Sequence, residues 1–134
     1  CVSSVGVLHH IPHPERGFAE IQRVLKPGGL FVLMLYHRDS AWYQVKMRAI
    51  ETFKGKTRAQ QVNEVDGAGN PKGLVYSKSD LREILSGYRD IEMFTNELRG
   101  WMVFPFFGKS VPRALLRPFE RHFGWHLFAK ARKA

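Results

Sequence analysis

The chain has 134 residues, 44% hydrophobic and 25% charged, the balance of a folded domain and not of a disordered tail. Its longest apolar run, residues 30–36, is far too short to span a bilayer. A single cysteine, Cys1, excludes an internal disulfide framework and a multi-cysteine zinc site, and makes the cytoplasm the expected compartment. The formal net charge is +9, and the excess is concentrated late: residues 109–134 hold seven Lys and Arg against one acidic residue, Glu120. Such charge invites a nucleic-acid reading, but no recognised reading motif accompanies it, so nucleic acid is not expected as a partner.

Residues 1–8, CVSSVGVL, are apolar, β-branched and small, which predicts a strand covered on both faces in a parallel sheet. A chain that opens on Cys in what reads as mid-strand is expected to be a piece of a larger domain, with N-terminal units missing. A loop follows at residues 9–13, where Pro12 and Pro14 oppose a helix. Pro14 suits the first position of a helix, Glu15 suits its positive end, and Phe18, Ile21, Val24 and Leu25 form its apolar face. Lys26-Pro27-Gly28-Gly29 stops it. Residues 30–36 form a second buried strand, so residues 1–36 read as one βαβ unit with parallel strands.

Residues 41–53 suit a helix with Trp42, Val45, Met47, Ile50 and Phe53 as its apolar members. Residues 55–73 are polar and glycine-containing and read as a mobile loop, a candidate lid. Ser77-Lys78-Ser79-Asp80 resembles a capping box for a helix with Leu81, Ile84, Leu85 and Tyr88 on its apolar face. A strand is expected over 90–98 and a Pro-interrupted aromatic stretch over 101–107. Ser110 is the expected cap of a helix over 111–122, before a last strand over 125–131.

From Ser4 to Tyr36 the residues SVGVLHHIPHPERGFAEIQRVLKPGGLFVLMLY resemble the C-terminal half of the class I S-adenosylmethionine-dependent methyltransferases, in the branch that includes the ubiquinone and menaquinone biosynthesis enzymes. Residues 23–29, RVLKPGG, carry the resemblance most sharply, and the closing GWHLFAK, residues 124–130, is similar to that family too. The resemblance implies an α/β fold, the C-terminal half of a doubly wound, mostly parallel Rossmann-like sheet with an antiparallel last strand. It makes residues 1–134 a partial domain, its cofactor-binding βα units missing. It implies S-adenosylmethionine as cofactor and a small or lipophilic methyl acceptor as substrate. The family's glycine-rich turn and the acidic residue that holds the ribose do not occur here, so this piece alone is expected to be inactive.

In open α/β sheets ligands lie beyond the carboxyl ends of the strands. With the resemblance, that places Ser4, Val5, Gly6, Leu8 and His9 along the cofactor's edge, a plain buried strand being the bland alternative. His9 and His10 have three readings. One is a general base, since imidazole titrates near neutrality; another is simply a pocket wall. The third is metal ligation with His13 and His37, which Pro12 and Pro14 oppose, so no metal is expected. Tyr36 and His37 end the second strand on the same rim, facing the methyl acceptor, unless Tyr36 is merely an edge tyrosine in solvent.

The stretch 109–123 reads as a basic amphipathic helix inserted before the last strand. Val111, Leu115, Leu116, Phe119 and Phe123 line one side, and Arg113, Arg117 and Arg121 form a separate stripe. With Trp101, Phe104, Phe106 and Phe107 nearby, it would contact an anionic membrane or cover a lipophilic substrate, unless it is a surface helix with a solvated basic face. A second reading of the whole chain is a non-catalytic partner module with this surface for membrane or nucleic acid.

Overall fold

The computed structural model describes residues 1–67, 72–104 and 107–134. Strands β1 (Val2–Val5), β2 (Leu30–His37), β3 (Val75–Tyr76), β4 (Tyr88–Asn96) and β5 (His126–Lys133) form one sheet in the order β1-β2-β5-β4, with β3 paired to β2. β1 runs parallel to β2 along Phe31–Met34, and β3 runs parallel to it at Tyr36 and His37, beyond the last residue paired to β1. β5 is antiparallel to both β2 and β4. The mostly parallel sheet with an antiparallel last strand is thus present, and the βαβ unit lies where residues 1–36 place it.

One face of the sheet is a packed core. Phe31, Leu33 and Leu35 of β2 meet Leu127, Ala129 and Ala131 of β5, with Leu8, Leu25, Leu81, Leu85 and Tyr88 around them. Helix α1 (Pro14–Val24) adds Phe18 and Ile21 to it. Helix α4 (Lys78–Ile84) starts from the expected capping box: the Asp80 N–H donates to Ser77 Oγ at 3.1 Å, and the Ser77 N–H donates to the Asp80 carboxylate at 2.8 Å. Local capping and tertiary burial of Leu81 therefore agree.

The other face is partly open along one row. Register places Val5, Met34, Phe128 and Phe94 side by side across β1, β2, β5 and β4. Phe94 and Phe128 stack at 5.1 Å, yet Val5 remains 52% and Phe94 49% exposed. This corrects the expectation for β1. It has only four residues, and its outward valine, like Val7 after it, is left half-exposed.

Other elements differ from expectation. Residues 42–47 form a π-helical turn that runs into α2 (Arg48–Lys54); Met47 is buried, but Val45 and Phe53 face solvent. The supposed lid contains α3 (Arg58–Asn63), fixed by a reciprocal Thr57–Gln60 capping box and by Gln61, whose amide donates to the Met47 and Lys56 carbonyls at 2.9 Å. Residues 68–71 of that stretch, and Phe106 of the aromatic one, lie outside the described residues. β4 starts at Tyr88 and carries a bulge between Arg89 and Glu92. After the short α5 (Gly100–Val103), Ser110 closes a 3-10 turn instead of capping a helix; α6 (Arg113–Phe123) begins after Pro112, whose ring presets φ at −60°. Gly124 then crosses Asn96 so closely that a Cβ would lie 2.3 Å from its carbonyl oxygen.

Among the described residues no helix is long and apolar enough to cross a membrane. Leu127→Ala, at a fully buried position, is expected to lower the unfolding free energy by about 2–5 kcal/mol. Leu115→Ala, at a position 65% exposed, should shift it by no more than about 0.5 kcal/mol. Urea titrations of the two variants beside the parent check both.

Candidate functional site

The site is built where β1 and β2 end. Gly6, at φ +74°, turns the chain out of β1 and donates its N–H to the Met34 carbonyl at 3.2 Å. The next turn closes with the His10 N–H on the Val7 carbonyl at 2.9 Å. Leu8 drops into the core, whereas the rings of His9 and His10 lie together with Tyr36. The His9 ring centroid is 3.9 Å from His10 and 4.1 Å from Tyr36. On its other side Tyr36 stacks on Trp125 at 4.5 Å, and Trp125 meets Trp42 edge-on at 4.9 Å. His126, the register partner of Tyr36 on β5, lies 6.4 Å from it. By strand alternation Tyr36 and His126 lie on the face that carries Met34 and Phe128, and there Tyr36 is buried in a second apolar cluster with Met47, Val62, Met102 and Trp125.

A carboxylate ties the cluster. Tyr36 Oη donates to Asp66 Oδ2, and His10 Nε2 lies 3.1 Å from the same oxygen. His10 Nδ1 is 2.9 Å from the Lys72 carbonyl, so both its ring nitrogens face oxygen acceptors. His37 points the opposite way from Tyr36, as neighbouring strand residues must. Its Nδ1–H donates to the Gly124 carbonyl at 3.0 Å and its backbone N–H to the Trp125 carbonyl at 2.8 Å. His37 therefore braces the start of β5 and does not join the cluster. Ser4 is buried beside Leu33, and Val5 lies on the open face. His13 sits exposed against Glu15, and no group of three or more His, Cys, Asp or Glu among the described residues is placed to hold a metal ion.

Residues 1–33 match the profile of the methyltransferase domain family. None of the curated proteins matches the chain in sequence. Solved structures similar to it include an S-adenosylmethionine-dependent methyltransferase from Thermotoga maritima, at a TM-score of 0.61 and 16% identity over 98% of this chain and 55% of that one. A chain from the Haloferax volcanii complex of a methyltransferase with its activator aligns at 0.58 and 18%, over 98% and 53%. A Bacillus halodurans methyltransferase aligns at 0.50 and 19%, over 98% and 63%. The chain has the methyltransferase fold. It spans between 53% and 63% of the length of these chains.

In this sheet of methyltransferase fold the cluster sits at the carboxyl rim, where open α/β sheets bind ligands. Its electrostatics limit the roles open to each group. His9 has no exposed surface, and neither ring nitrogen has a hydrogen-bond partner. Burial first, then the neighbouring His10, push its pKa down to about 3 against the opposing pull of Asp66. A ring so hard to protonate is neutral at pH 7 and a weak base. Burial also lowers the pKa of His37 and of His126. Burial and the Asp66 carboxylate together hold the Tyr36 phenol protonated.

Sequence reasoning missed three members of the cluster. Asp66 stands in a polar stretch with nothing local to mark it. Trp125 and His126 read only as the start of a strand; the signal available was their alternation, which sends His126 to the face opposite Leu127. The pH consequence has a definite sign. His9 is harder to protonate folded than unfolded, so its contribution is intact above pH 6.5 and drains as the pH falls towards 3. That slope is about 1.4 kcal/mol per pH unit for one proton. His9→Phe should flatten the acid limb by about one proton between pH 6.5 and about 4, as read by urea midpoints across that range.

Proposed function

We propose that this chain is the acceptor-side part of an S-adenosylmethionine-dependent methyltransferase that methylates a small or lipophilic acceptor. The observation that carries this reading is the Asp66 carboxylate held by Tyr36 and His10 over an aromatic floor, at the ligand-binding rim of a methyltransferase sheet. The remaining βα units belong to the rest of a longer polypeptide and cover the apolar row Val5, Met34, Phe128 and Phe94. Partly exposed apolar rows of that kind are otherwise an aggregation hazard.

The residues present fit one edge of the cofactor. A Cβ on Gly6 would meet only Met34 Cε, at 3.5 Å, so a ligand has close access to the backbone there. Val5, Gly6 and the Ser4 backbone would line that edge, while Leu8 and the fully buried His9 ring support it from beneath. When bound, S-adenosylmethionine supplies an activated methyl group on a sulfonium centre. The chain's own residues then have two tasks. Tyr36, Trp125, Trp42 and neutral His9 wall the site with rings and exclude water. Asp66, whose side chain is 46% exposed, hydrogen-bonds the acceptor's nucleophilic group and takes the proton it gives up. Tyr36 and His10 are positioning residues that fix the carboxylate.

Asp66→Asn in the full polypeptide should lower kcat by about 10²-fold or more for a hydroxyl or amine acceptor. Tyr36→Phe should lower it by about tenfold through loss of one hydrogen bond to a charged group. S-adenosylhomocysteine affinity, read by isothermal titration, should stay within about twofold in both, since neither residue lies on the proposed cofactor edge. An Asp66→Asn enzyme of unchanged kcat removes the carboxylate from the mechanism. A folded full polypeptide that binds no S-adenosylhomocysteine overturns the methyltransferase reading in favour of the partner module.

A further inference from the structure

Helix α6 is packed inside out. Its buried residue is a glutamate, Glu120, Leu116 is half-buried, and its other three large apolar residues face solvent: Leu115 is 65%, Phe119 54% and Phe123 48% exposed. The inward turn is fixed by hydrogen bonds. Glu120 Oε1 accepts from Arg113 Nε at 3.1 Å and Nη2 at 3.0 Å and from the Leu98 N–H at 3.3 Å, while the Glu120 carbonyl accepts from Thr95 Oγ1 at 2.6 Å. Arg113 is thereby withdrawn from the basic stripe and serves as the partner of the buried carboxylate.

Residues 115, 119 and 123 are spaced by four, so the three exposed side chains form one ridge along the helix. Arg117 and Arg121 lie on another side of it and form no ion pair among the described residues. Glu120 is the one acidic residue after position 108, and Arg113 neutralises it. The helix α6 is thus apolar on one side and cationic on the roughly opposite one, with no exposed carboxylate of its own. A helix is about 10–12 Å across, so arginines on the polar side of a helix lying in the headgroup layer stay near the lipid phosphates. A protein partner would need a matching apolar groove and acidic rim together; an anionic bilayer presents both along any line.

We infer that α6 docks the protein on an anionic phospholipid surface, with Leu115, Phe119 and Phe123 in the interface and Arg117 and Arg121 drawn to the phosphates. The contact is peripheral. The attraction is worth roughly a fivefold gain in partition per arginine, and each buried phenylalanine adds about tenfold or more.

The test is flotation of the full polypeptide with phosphatidylcholine vesicles, with and without phosphatidylglycerol. The protein is expected to float with the anionic vesicles and to be released at about 1 M salt, where the screening length falls to about 3 Å. Phe119→Ser should weaken partition about tenfold, and Arg117→Ser with Arg121→Ser about twenty-fivefold. These positions are exposed, so unchanged far-UV circular dichroism is expected and separates lost docking from lost folding. The inference is overturned by no flotation with anionic vesicles, by flotation indifferent to Phe119→Ser, or by a lipid-free dimer that Phe119→Ser dissociates, which would make a second copy the occupant of the ridge. Binding to RNA in place of vesicles would likewise overturn it. None of these readouts depends on methyl transfer, so they stand or fall apart from the proposed activity.

Discussion

The rim of this sheet depends on how β2 ends. β2 is paired on both edges: to β1 and then β3 on one side, and to β5 along its other side. Its last two side chains must therefore leave in opposite directions. Tyr36 goes to the face opposite the main core and gathers His9, His10, Asp66, Trp125 and His126. His37 goes the other way and holds the Gly124 carbonyl, just where the chain enters β5. One tyrosine thus organises the candidate site, and its neighbour anchors the strand that supplies the site's far wall. A one-residue slip in the β2–β5 register would exchange the two roles and dismantle both.

The electrostatic character of the cluster follows from the same packing. Rings stacked within about 4–6 Å exclude water, and groups deprived of water resist charging. His9 is the extreme case, with two buried ring nitrogens and no partner for either. Such a residue adds little to stability and is tolerated because the neutral ring is itself a flat, apolar wall. The charge of the site is left to Asp66, which keeps contact with solvent and is oriented by two donors.

The parts legible in the sequence are the ones encoded locally. The βαβ unit over residues 1–36 shows its strand runs, its proline start and its glycine stop within the segments themselves, and the Ser77–Asp80 capping box is a four-residue signal that the backbone honours. α3 carried an equally local signal, Thr57 and Gln60 three apart, hidden in a stretch whose overall polarity suggested a loop. Asp66 could not be read at all, because its role exists only through Tyr36, thirty residues away in sequence. Nor could the burial of β1, since coverage of Val5 depends on what packs against its face and not on the strand.

The same limit governs α6. Periodicity marks a ridge of Leu115, Phe119 and Phe123 but cannot say which way a ridge points. Ordinarily an apolar ridge turns inward, because burial of each such side chain is worth about 1.5–3 kcal/mol. Here the inward position is taken by Glu120, and a buried carboxylate is stable only when paired and hydrogen-bonded. Arg113 supplies the charge and the Leu98 N–H a further donor. Rotating the helix to bury its ridge would break that pair and the Thr95 bond to the Glu120 carbonyl together. The helix is therefore held with its apolar side out by specific polar contacts, and its orientation is a property of the fold itself.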